Sequence, residues 1–256
     1  MSTRAPRTPL PAAAHRSRRR TRRAAAARRS CSRASRGPGR GDGSTATPTA
    51  SDPSAPRPTH GPIDRKAPVE RTWLDADSWL DVVRGFAHDT DATFERLVRE
   101  VSWSQNRQIR GGRKVDDPRL DGFLTREQSA QDPLFHFTRL ILDARYRVRL
   151  SGPQLVYYRD GRDSMGFHRD DTLRWIDHTV IAGLAFGATR PFQLVSRQGG
   201  PVTSIDVAAG DLYVMGGRCQ VDWFHGVPKL PECGPKISAV WRWTSRTGKP
   251  VEPHVS

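Results

Sequence analysis

Residues 158–171 read YRDGRDSMGFHRDD and combine the end of an apolar run, a turn signal and two residue types that bind metals, histidine and aspartate. This stretch begins on the tyrosine that ends an apolar run, Gln154–Tyr158, passes through an Asp-Gly turn signal, and reaches His168-Arg169-Asp170. His225 comes 57 residues after His168 and follows another apolar run. We therefore expect both histidines just past the ends of β-strands.

Two histidines and one carboxylate are the candidate metal ligands of this chain: His168, Asp170 and His225. Such a set on one face of an ion is the facial triad of non-haem Fe(II) oxygenases, which leaves coordination positions open for a bidentate cosubstrate and O₂. The structural alternative is a hydrogen-bonded surface turn at His168 and a half-buried strand-end histidine at His225. The spacing alone therefore supplies a hypothesis of an iron site.

Two cations follow on a β-rich segment, Lys236 and Arg242, six residues apart. An even spacing in a strand puts both on the same face. The intervening residues are mostly apolar, so two inward-pointing cations would be costly unless an anion meets them. A dicarboxylate such as 2-oxoglutarate would fill that role. The alternative is a strand whose Lys236 and Arg242 face water.

The pattern of apolar residues along the chain changes at Gly152. After it, short β-rich runs are separated by turn signals, whereas helical spacing prevails before it. Helices first and strands afterwards predict an α+β domain with a sheet sandwich or barrel. The predicted strands are Gln154–Tyr158, Thr179–Phe186, Phe192–Ser196, Asp211–Met215 and Ile237–Trp243.

Three helices are predicted in the first half of the domain. One begins at Asp75 or Asp77 and carries Trp79, Leu80, Val82, Val83 and Phe86, a second runs over Asp91–Val101, and a third starts at Pro133. Between the last two, the polar stretch Trp103–Asp132 is predicted as a long loop, and a loop of that length inside a domain is usually functional or disordered.

The positive charge is concentrated at the start of the chain. Residues 1–60 hold 14 arginines and two acidic residues, for a charge of +12, which leaves +3 for the remaining 196 residues. This segment is rich in Arg, Ala, Ser and Pro and is predicted to be disordered. It could be a nucleic-acid-binding arm, an organellar transit peptide, or an extension without function.

Composition excludes several classes of protein. Three cysteines in 256 residues cannot form a disulfide framework, and no run reaches the roughly 18 apolar residues of a membrane span. The chain has no secretory hydrophobic region, so we expect it in the cytoplasm, nucleoid-associated if bacterial, with organellar targeting left open. A monomer without membrane attachment is the default expectation.

Three blocks of the sequence together resemble the AlkB family of Fe(II)/2-oxoglutarate dioxygenases, which repair alkylated nucleic-acid bases. The first is 158–171, the second is GDLYVMGG at 210–217 with HGVP at 225–228, and the third is Lys236–Arg242. The resemblance covers about residues 69–246. It implies a double-stranded β-helix (jelly-roll) core with N-terminal helices and a nucleotide-recognition lid, preceded by the Arg-rich tail.

The resemblance also implies roles for the residues of the core. His168, Asp170 and His225 would be the iron ligands and form the catalytic centre. The cosubstrate 2-oxoglutarate would bind to Tyr158, Lys236 and Arg242, with O₂ as the second cosubstrate.

On the substrate side, the resemblance places Asp171 where the family reads the exocyclic amine of a damaged base. Pro118-Arg119 resembles a short motif of the family's lid. Arg119, Trp103 and Phe123 are the candidates for contacts with phosphate and base, although core packing is the alternative for each aromatic residue.

Two positions depart from the family pattern. Val156 stands where the family usually has Asn, which removes one polar contact to the cosubstrate. Lys236 stands where Arg is usual, and lysine keeps the charge but loses the bidentate fork of arginine.

These observations predict a disordered tail and linker over 1–68 and a dioxygenase domain over 69–256, with helices and lid in 69–150 and the β-helix in 151–246. The predicted activity is oxidative demethylation of alkylated DNA, and possible RNA substrates stay open. The alternatives are an oxygenase for RNA, protein or a small metabolite, and an inactive nucleic-acid-binding protein that uses its tail.

Overall fold

The computed structural model describes residues 61–248, so the predicted tail over residues 1–60 lies outside the described residues. Within the described range the chain forms thirteen strands and four helices. The strands are β1 Glu70–Trp73, β2 Ser78–Val83, β3 Arg107–Arg110, β4 Arg113–Asp116, β5 Leu120–Phe123, β6 Ser151–Tyr158, β7 Met165–His168, β8 His178–Gly187, β9 Arg190–Ser196, β10 Thr203–Val207, β11 Leu212–Gly217, β12 Trp223–Val227 and β13 Lys236–Ser245. The helices are α1 Thr90–Glu100, α2 Arg126–Gln131, α3 Pro133–Tyr146 and α4 Cys219–Asp222.

Two antiparallel sheets make up the core of the domain. The large sheet has the order β1-β2-β11-β8-β13-β6-β5, and the small sheet has the order β10-β9-β12-β7. Neighbouring strands in these orders are far apart in sequence, as in β11 next to β2 and β13 next to β6. This is the double-stranded β-helix (jelly-roll) architecture that the resemblance implies, and the predicted α+β fold class is confirmed.

The large sheet is buried on both faces, and β13 shows why. Its odd-numbered residues Ile237, Ala239 and Trp241 pack into a cluster with α1 and α3 residues such as Leu97 and Phe135. Its even-numbered Val240 packs into the second cluster, between the two sheets. Strand alternation thus separates a helix-facing layer from a layer that faces the interior of the barrel.

The prediction of a helix that starts at Asp75 or Asp77 is wrong. Residues 78–83 instead form strand β2, which hydrogen-bonds to β1 on one side and to β11 on the other. Asp75 does not cap a helix; its Oδ1 accepts the backbone N–H groups of Asp77 and Ser78 and closes a turn before the strand. The run is apolar on both faces, so tertiary pairing rather than local spacing decides its conformation.

The stretch Trp103–Asp132 is not the long loop that its polarity predicts. It contains the hairpin β3–β4, the strand β5 and the helix α2. Helix α2 begins with a capping box, in which Thr125 and Gln128 exchange side-chain and backbone hydrogen bonds. Polar composition conceals these elements because the hairpin is exposed on most of its surface.

The other two predicted helices are confirmed as α1 and α3, and Asp132 caps α3 just before Pro133. Ordered contacts start earlier than Val69, because Ile63 is buried and pairs with Ala87 in an isolated bridge. The predicted boundary at residue 68 is therefore too late for residues 63–68. None of the described helices has the length and apolar character needed to cross a membrane.

Candidate metal centre

The two histidines meet because their strands are neighbours in the small sheet. β12 pairs antiparallel with β7, and His225 is the direct cross-strand partner of His168. The two imidazole ring centroids lie 4.2 Å apart. His168 is the last residue of β7 and His225 is in the middle of β12, so neither lies past its strand as the sequence suggested.

Asp170 completes the set two residues after His168. Its Oδ1 lies 3.5 Å from Nε2 of His168 and 3.9 Å from Nε2 of His225. The ligand atoms of the three residues all lie within 4.8 Å of one another. Ligands bound about 2.1 Å from one ion at right angles would be about 3 Å apart, so small side-chain movements suffice to hold a metal.

Backbone contacts orient two of the three ligands. Nδ1 of His168 donates to the carbonyl oxygen of Gly166 at 2.9 Å, which turns Nε2 toward Asp170. The backbone N–H of Asp170 donates to Oε1 of Gln220 at 2.8 Å. Gln220 in α4 is thus a supporting residue that sequence reasoning missed.

The protonation states of the site suit a cation. Burial, and next the neighbouring His168, lower the pKa of His225 to about 3, so its imidazole is neutral and can bind a metal without losing a proton. Burial by itself would raise the pKa of the Asp170 carboxyl, but the neighbouring His168 and the positive charge of Arg242 outweigh it and hold that pKa below its usual range. His225 therefore presents a neutral nitrogen to a metal, and Asp170 presents a carboxylate.

Arg242 fixes the orientation of the carboxylate. Its Nε donates to Oδ2 of Asp170 at 2.6 Å, and its Nη1 donates to Oε1 of Gln154 at 2.9 Å. One carboxylate oxygen is thus held by the arginine while the other faces the histidines. The donor set, its spacing and this orientation fit a divalent metal of the kind that a facial triad binds.

A cavity between the two sheets adjoins these three ligands. It has free space for about 50 Å³, and its polar lining includes Tyr158, Tyr213, Ser238 and Arg242. The remaining lining is largely apolar and includes Val156, which stands where the AlkB family usually has an asparagine. Burial raises the pKa values of both tyrosines, so their phenols are neutral hydrogen-bond donors.

Lys236 and Arg242 lie on the same face of β13, as the even spacing predicts, and that face points to the barrel interior. Lys236 is 3% exposed, and its Nζ donates to the carbonyl oxygen of Val207 at 2.9 Å. Burial, and then the charge of Arg190, lower the pKa of Lys236 to about 7. Arg242 borders the metal centre, whereas Lys236 is the cross-strand partner of Tyr158, six residues farther along the same face.

Arg190 is a second buried cation that sequence reasoning missed. It is completely buried, it donates to the carbonyl oxygens of Asp160, Asp163 and Pro228, and its guanidinium lies 5.0 Å from the centroid of the Tyr158 ring. The only sequence signal is an arginine at the start of a largely apolar strand, which reads equally well as a surface residue.

The four residues predicted to contact substrate are not all at the metal centre. Nη1 of Arg119 lies 2.6 Å from Sδ of Met165, which lines the metal cavity, and Asp171 is exposed beside the ligand Asp170. Phe123 is exposed and lines a different, open groove. These three placements leave their predicted roles open.

Trp103 is the correction in this group. Its ring lies 5.0 Å from that of Tyr157 and packs into the layer between the large sheet and the helices. Tyr157 faces away from the barrel interior, because its neighbours Val156 and Tyr158 face inward. Trp103 therefore belongs to the core on the outer face of the sheet and does not line the metal cavity.

Comparison with known proteins gives a consistent set of similarities. The profile of the 2OG-Fe(II) oxygenase superfamily matches residues 153–239. The chain is 29% identical over 161 residues to the alpha-ketoglutarate-dependent dioxygenase alkB homolog 3 of Rattus norvegicus, covering 55% of this chain and 55% of that protein. It is 31% identical over 94 residues to the human DNA oxidative demethylase ALKBH2, covering 33% and 36% of the two chains.

Among solved structures, a 2OG-Fe(II) oxygenase family oxidoreductase from Burkholderia pseudomallei matches with a TM-score of 0.46 at 14% identity, over 64% of this chain and 84% of that one. This chain spans about half the length of the alkB homolog 3 proteins that it matches.

Proposed function

We propose that this chain is an AlkB-like Fe(II)/2-oxoglutarate dioxygenase and that it oxidatively demethylates N-alkylated bases in nucleic acid. The observation that carries the proposal is the site itself: His168, Asp170 and His225 converge within 4.8 Å, and Arg242 orients the carboxylate. The relatives named above act as dioxygenases and, for ALKBH2, as a DNA demethylase.

When bound, Fe(II) with 2-oxoglutarate and O₂ supplies the oxidation of the N-methyl carbon, while 2-oxoglutarate becomes succinate and CO₂. The hydroxylated methyl group leaves the base as formaldehyde, and the ring nitrogen keeps the electron pair of the broken C–N bond. His168 Nε2, Asp170 Oδ1 and His225 Nε2 would hold the metal on one side and leave the opposite side open to cosubstrate.

The polar face of β13 would receive the dicarboxylate. Arg242 is the cation beside the metal, and Tyr158 with Lys236 would receive the distal carboxylate. Because its pKa is about 7, Lys236 is in part neutral near pH 7, and a carboxylate placed beside it would draw a proton onto the amine. The free space of about 50 Å³ requires that lining side chains move when the cosubstrate enters.

The substrate base would reach the metal from the side of Arg119 and Asp171. A base inside a duplex cannot approach an atom buried between two sheets, so the base has to leave its stack first. Asp171 can accept a hydrogen bond from an exocyclic amine, as in adenine or cytosine. We therefore propose alkylated DNA as the substrate, with RNA of the same base chemistry as the close variant.

The test is an anaerobic titration with Fe(II) and 2-oxoglutarate, followed by an aerobic assay of formaldehyde and succinate on oligonucleotides with 1-methyladenine or 3-methylcytosine. We expect a weak visible charge-transfer band and stoichiometric release of both products. His168→Ala should lose the band and the products, whereas His88→Ala, which changes an exposed histidine of a loop, should keep both.

The outcomes separate the parts of the proposal. A band without formaldehyde from either base contradicts the substrate and keeps the cosubstrate. No band contradicts the dioxygenase activity as a whole, and unchanged turnover in His168→Ala removes His168 from the metal site.

A further inference from the structure

A series of hydrogen bonds continues from the metal centre beyond Arg242. Nε of Arg242 donates to Asp170, and its Nη1 donates to Oε1 of Gln154 at 2.9 Å. The other end of the same amide is also used, because Nε2 of Gln154 donates to Oδ1 of Asp121 at 3.1 Å. The series connects three strands that are neighbours in the large sheet, β13, β6 and β5. The mechanism above gives no role to Gln154 or Asp121.

Strand register brings these side chains together. Asp121 is the cross-strand partner of Val156, two residues along β6 from Gln154, so the amide reaches the carboxylate diagonally across one face of the sheet. On the other side, Val240 is the cross-strand partner of Gln154, and Arg242 lies two residues beyond Val240. β6 thus holds the amide between a cation of one neighbouring strand and a carboxylate of the other.

The two partners of Gln154 have opposite hydrogen-bonding capacity. The guanidinium of Arg242 has donors and no acceptor, whereas the carboxylate of Asp121 has acceptors and no donor. An amide presents an acceptor to the first and a donor to the second at two separate atoms. A glutamate would set a second carboxylate against Asp121, and a leucine would leave both partners without their bond. Glutamine therefore fits position 154, and side chains of similar length do not.

Asp121 is a fixed end for the series. It is 1% exposed, and its Oδ2 accepts from Nδ2 of Asn106 at 2.8 Å. Its backbone N–H and carbonyl oxygen both bond to Ser104, at 2.8 and 2.9 Å. Nε of Arg119 lies 3.5 Å from its Oδ1. Because these contacts already hold Asp121, it restricts Gln154 without itself having to be ordered.

The bond to Gln154 removes a freedom that Arg242 would otherwise have. The side chain of Arg242 is 22% exposed, and its bond to Asp170 alone would allow the guanidinium to pivot about that contact. A second bond at Nη1 fixes the plane of the group. Oδ2 of Asp170 is then held in one direction, and Oδ1 stays toward the two histidines. Loss of a partner that orients a metal ligand typically lowers metal affinity by about 10- to 100-fold.

We propose that Gln154 is a positioning residue of the metal centre. It acts on the Asp170 carboxylate through Arg242, with Asp121 as its buried anchor. The inference rests on the proposed function, since it assigns how the metal site of that function is held in its binding geometry. Gln154 acts through another residue, so its effect falls on metal binding.

The test uses three variants of the full chain and one matched control. Gln154→Leu removes both hydrogen bonds, and Gln154→Glu keeps an acceptor for Arg242 but opposes the carboxylate of Asp121. The exchange variant, Gln154→Glu/Asp121→Asn, swaps the acid and the amide, so the series can form again with a donor at position 121. The control Gln128→Leu removes a glutamine side-chain bond from the capping box of α2. Far-UV circular dichroism and thermal melting check that each variant folds.

The readout is anaerobic binding of Co(II), because its visible absorption reports the ligand geometry without cosubstrate or turnover. We expect the Kd for Co(II) to rise about tenfold in Gln154→Leu and in Gln154→Glu, with a changed visible spectrum. The exchange variant should regain most of the affinity and the parent spectrum. Gln128→Leu should bind Co(II) as the parent does, since its lost bond lies outside the series.

Two outcomes overturn the proposal. An unchanged Kd and spectrum in Gln154→Leu remove the positioning role, and an exchange variant that binds no better than Gln154→Glu removes Asp121 as the anchor. If Gln154→Leu does not fold, Gln154→Asn takes its place. Its amide is one methylene shorter and cannot reach both partners, so the same loss of affinity is expected.

Failure of the proposed function has a different signature. A parent chain that binds Co(II) and responds to Gln154→Leu, but releases no formaldehyde from any methylated base, overturns the demethylase and keeps the positioning role. An active demethylase whose metal affinity is the same in Gln154→Leu overturns the positioning role alone. A parent chain that binds no Co(II) overturns the metal centre and both proposals with it.

Discussion

Arg190 is a buried cation whose hydrogen-bond partners are backbone carbonyl oxygens and not a carboxylate. Its three hydrogen bonds join the turn before β7, at Asp160 and Asp163, to the residue after β12, Pro228. β7 and β12 are the strands that carry His168 and His225. The guanidinium therefore ties the two ligand-bearing strands together at the end away from the metal.

We predict that Arg190→Met lowers the free energy of unfolding by about 3 kcal/mol, because the carbonyls of Asp160, Asp163 and Pro228 each lose a hydrogen-bond partner at about 1 kcal/mol. The affinity for Fe(II) should fall as well. Denaturant unfolding and metal titration measure the two effects. Arg197→Met is the control, since Arg197 is exposed and holds one carbonyl, that of Val221; a loss as large as that of Arg190→Met would refute a special role of Arg190.

Sequence reasoning succeeds at residue scale where the chemistry is local. His168 and Asp170 are two residues apart, so their predicted role as ligands of one metal ion can be inferred without knowing the fold. Arg190 and Gln220 act through partners 27 to 50 residues away, and nothing in their own neighbourhood distinguishes them from surface residues. The misplacement of Trp103 has the same origin, since its partner Tyr157 lies 54 positions along the chain.

At the scale of elements, the contact of β8 with β11 contains a matched pair. Tyr213 is the cross-strand partner of Gly183. A Cβ at Gly183 would come within 2.3 Å of the Tyr213 ring, so the absence of a side chain at 183 makes room for a phenol in the metal cavity. The two strands thus present one large residue against one small one.

We predict that Gly183→Ala destabilises the fold by about 1 to 3 kcal/mol and displaces the Tyr213 ring, with a matching loss of cosubstrate affinity. The double variant Gly183→Ala/Tyr213→Leu should recover most of the stability, because leucine vacates the space that the new methyl group needs. A double-mutant cycle by denaturant unfolding measures the coupling. Additive losses would show that the ring and residue 183 are energetically independent.

Element prediction from the sequence depends on whether an element has one buried face. α1 and α3 have a single apolar stripe and are predicted well. β2 is buried on both faces, and its apolar residues Trp79, Leu80, Val82 and Val83 also fit the spacing of a helix, so its type is decided by pairing with β1 and β11. β7, β10 and β12 are four or five residues long and offer too few residues for a period to emerge.

At the scale of the whole molecule, the buried Lys236 links folding to pH. Its pKa is about 7 in the folded chain and 10.5 as the ordinary value. Between these values the unfolded chain holds a proton that the folded chain lacks, so the free energy of unfolding rises with pH in that window. The contribution is lost as pH falls toward 7.

We predict that the metal-free protein gains about 2 to 3 kcal/mol of stability between about pH 7 and pH 9 from this residue. Lys236→Met should remove that rise, and Lys229→Met, at an exposed position, should keep it. Urea unfolding at several pH values makes the measurement. A pH dependence that is the same in Lys236→Met and the parent would place the proton elsewhere.

The position of β7 in the small sheet has a consequence for the life of the protein in a cell. β7 is four residues long and has β12 as its only neighbour in that sheet, so it is an edge strand. An ion bound by both His168 and His225 would cross-link β7 to β12 and so stabilise this edge of the sheet. Without a bound metal, this edge would open more readily, and the opened segment would be accessible to proteases. Iron supply would then set how long each copy lasts as well as whether it works.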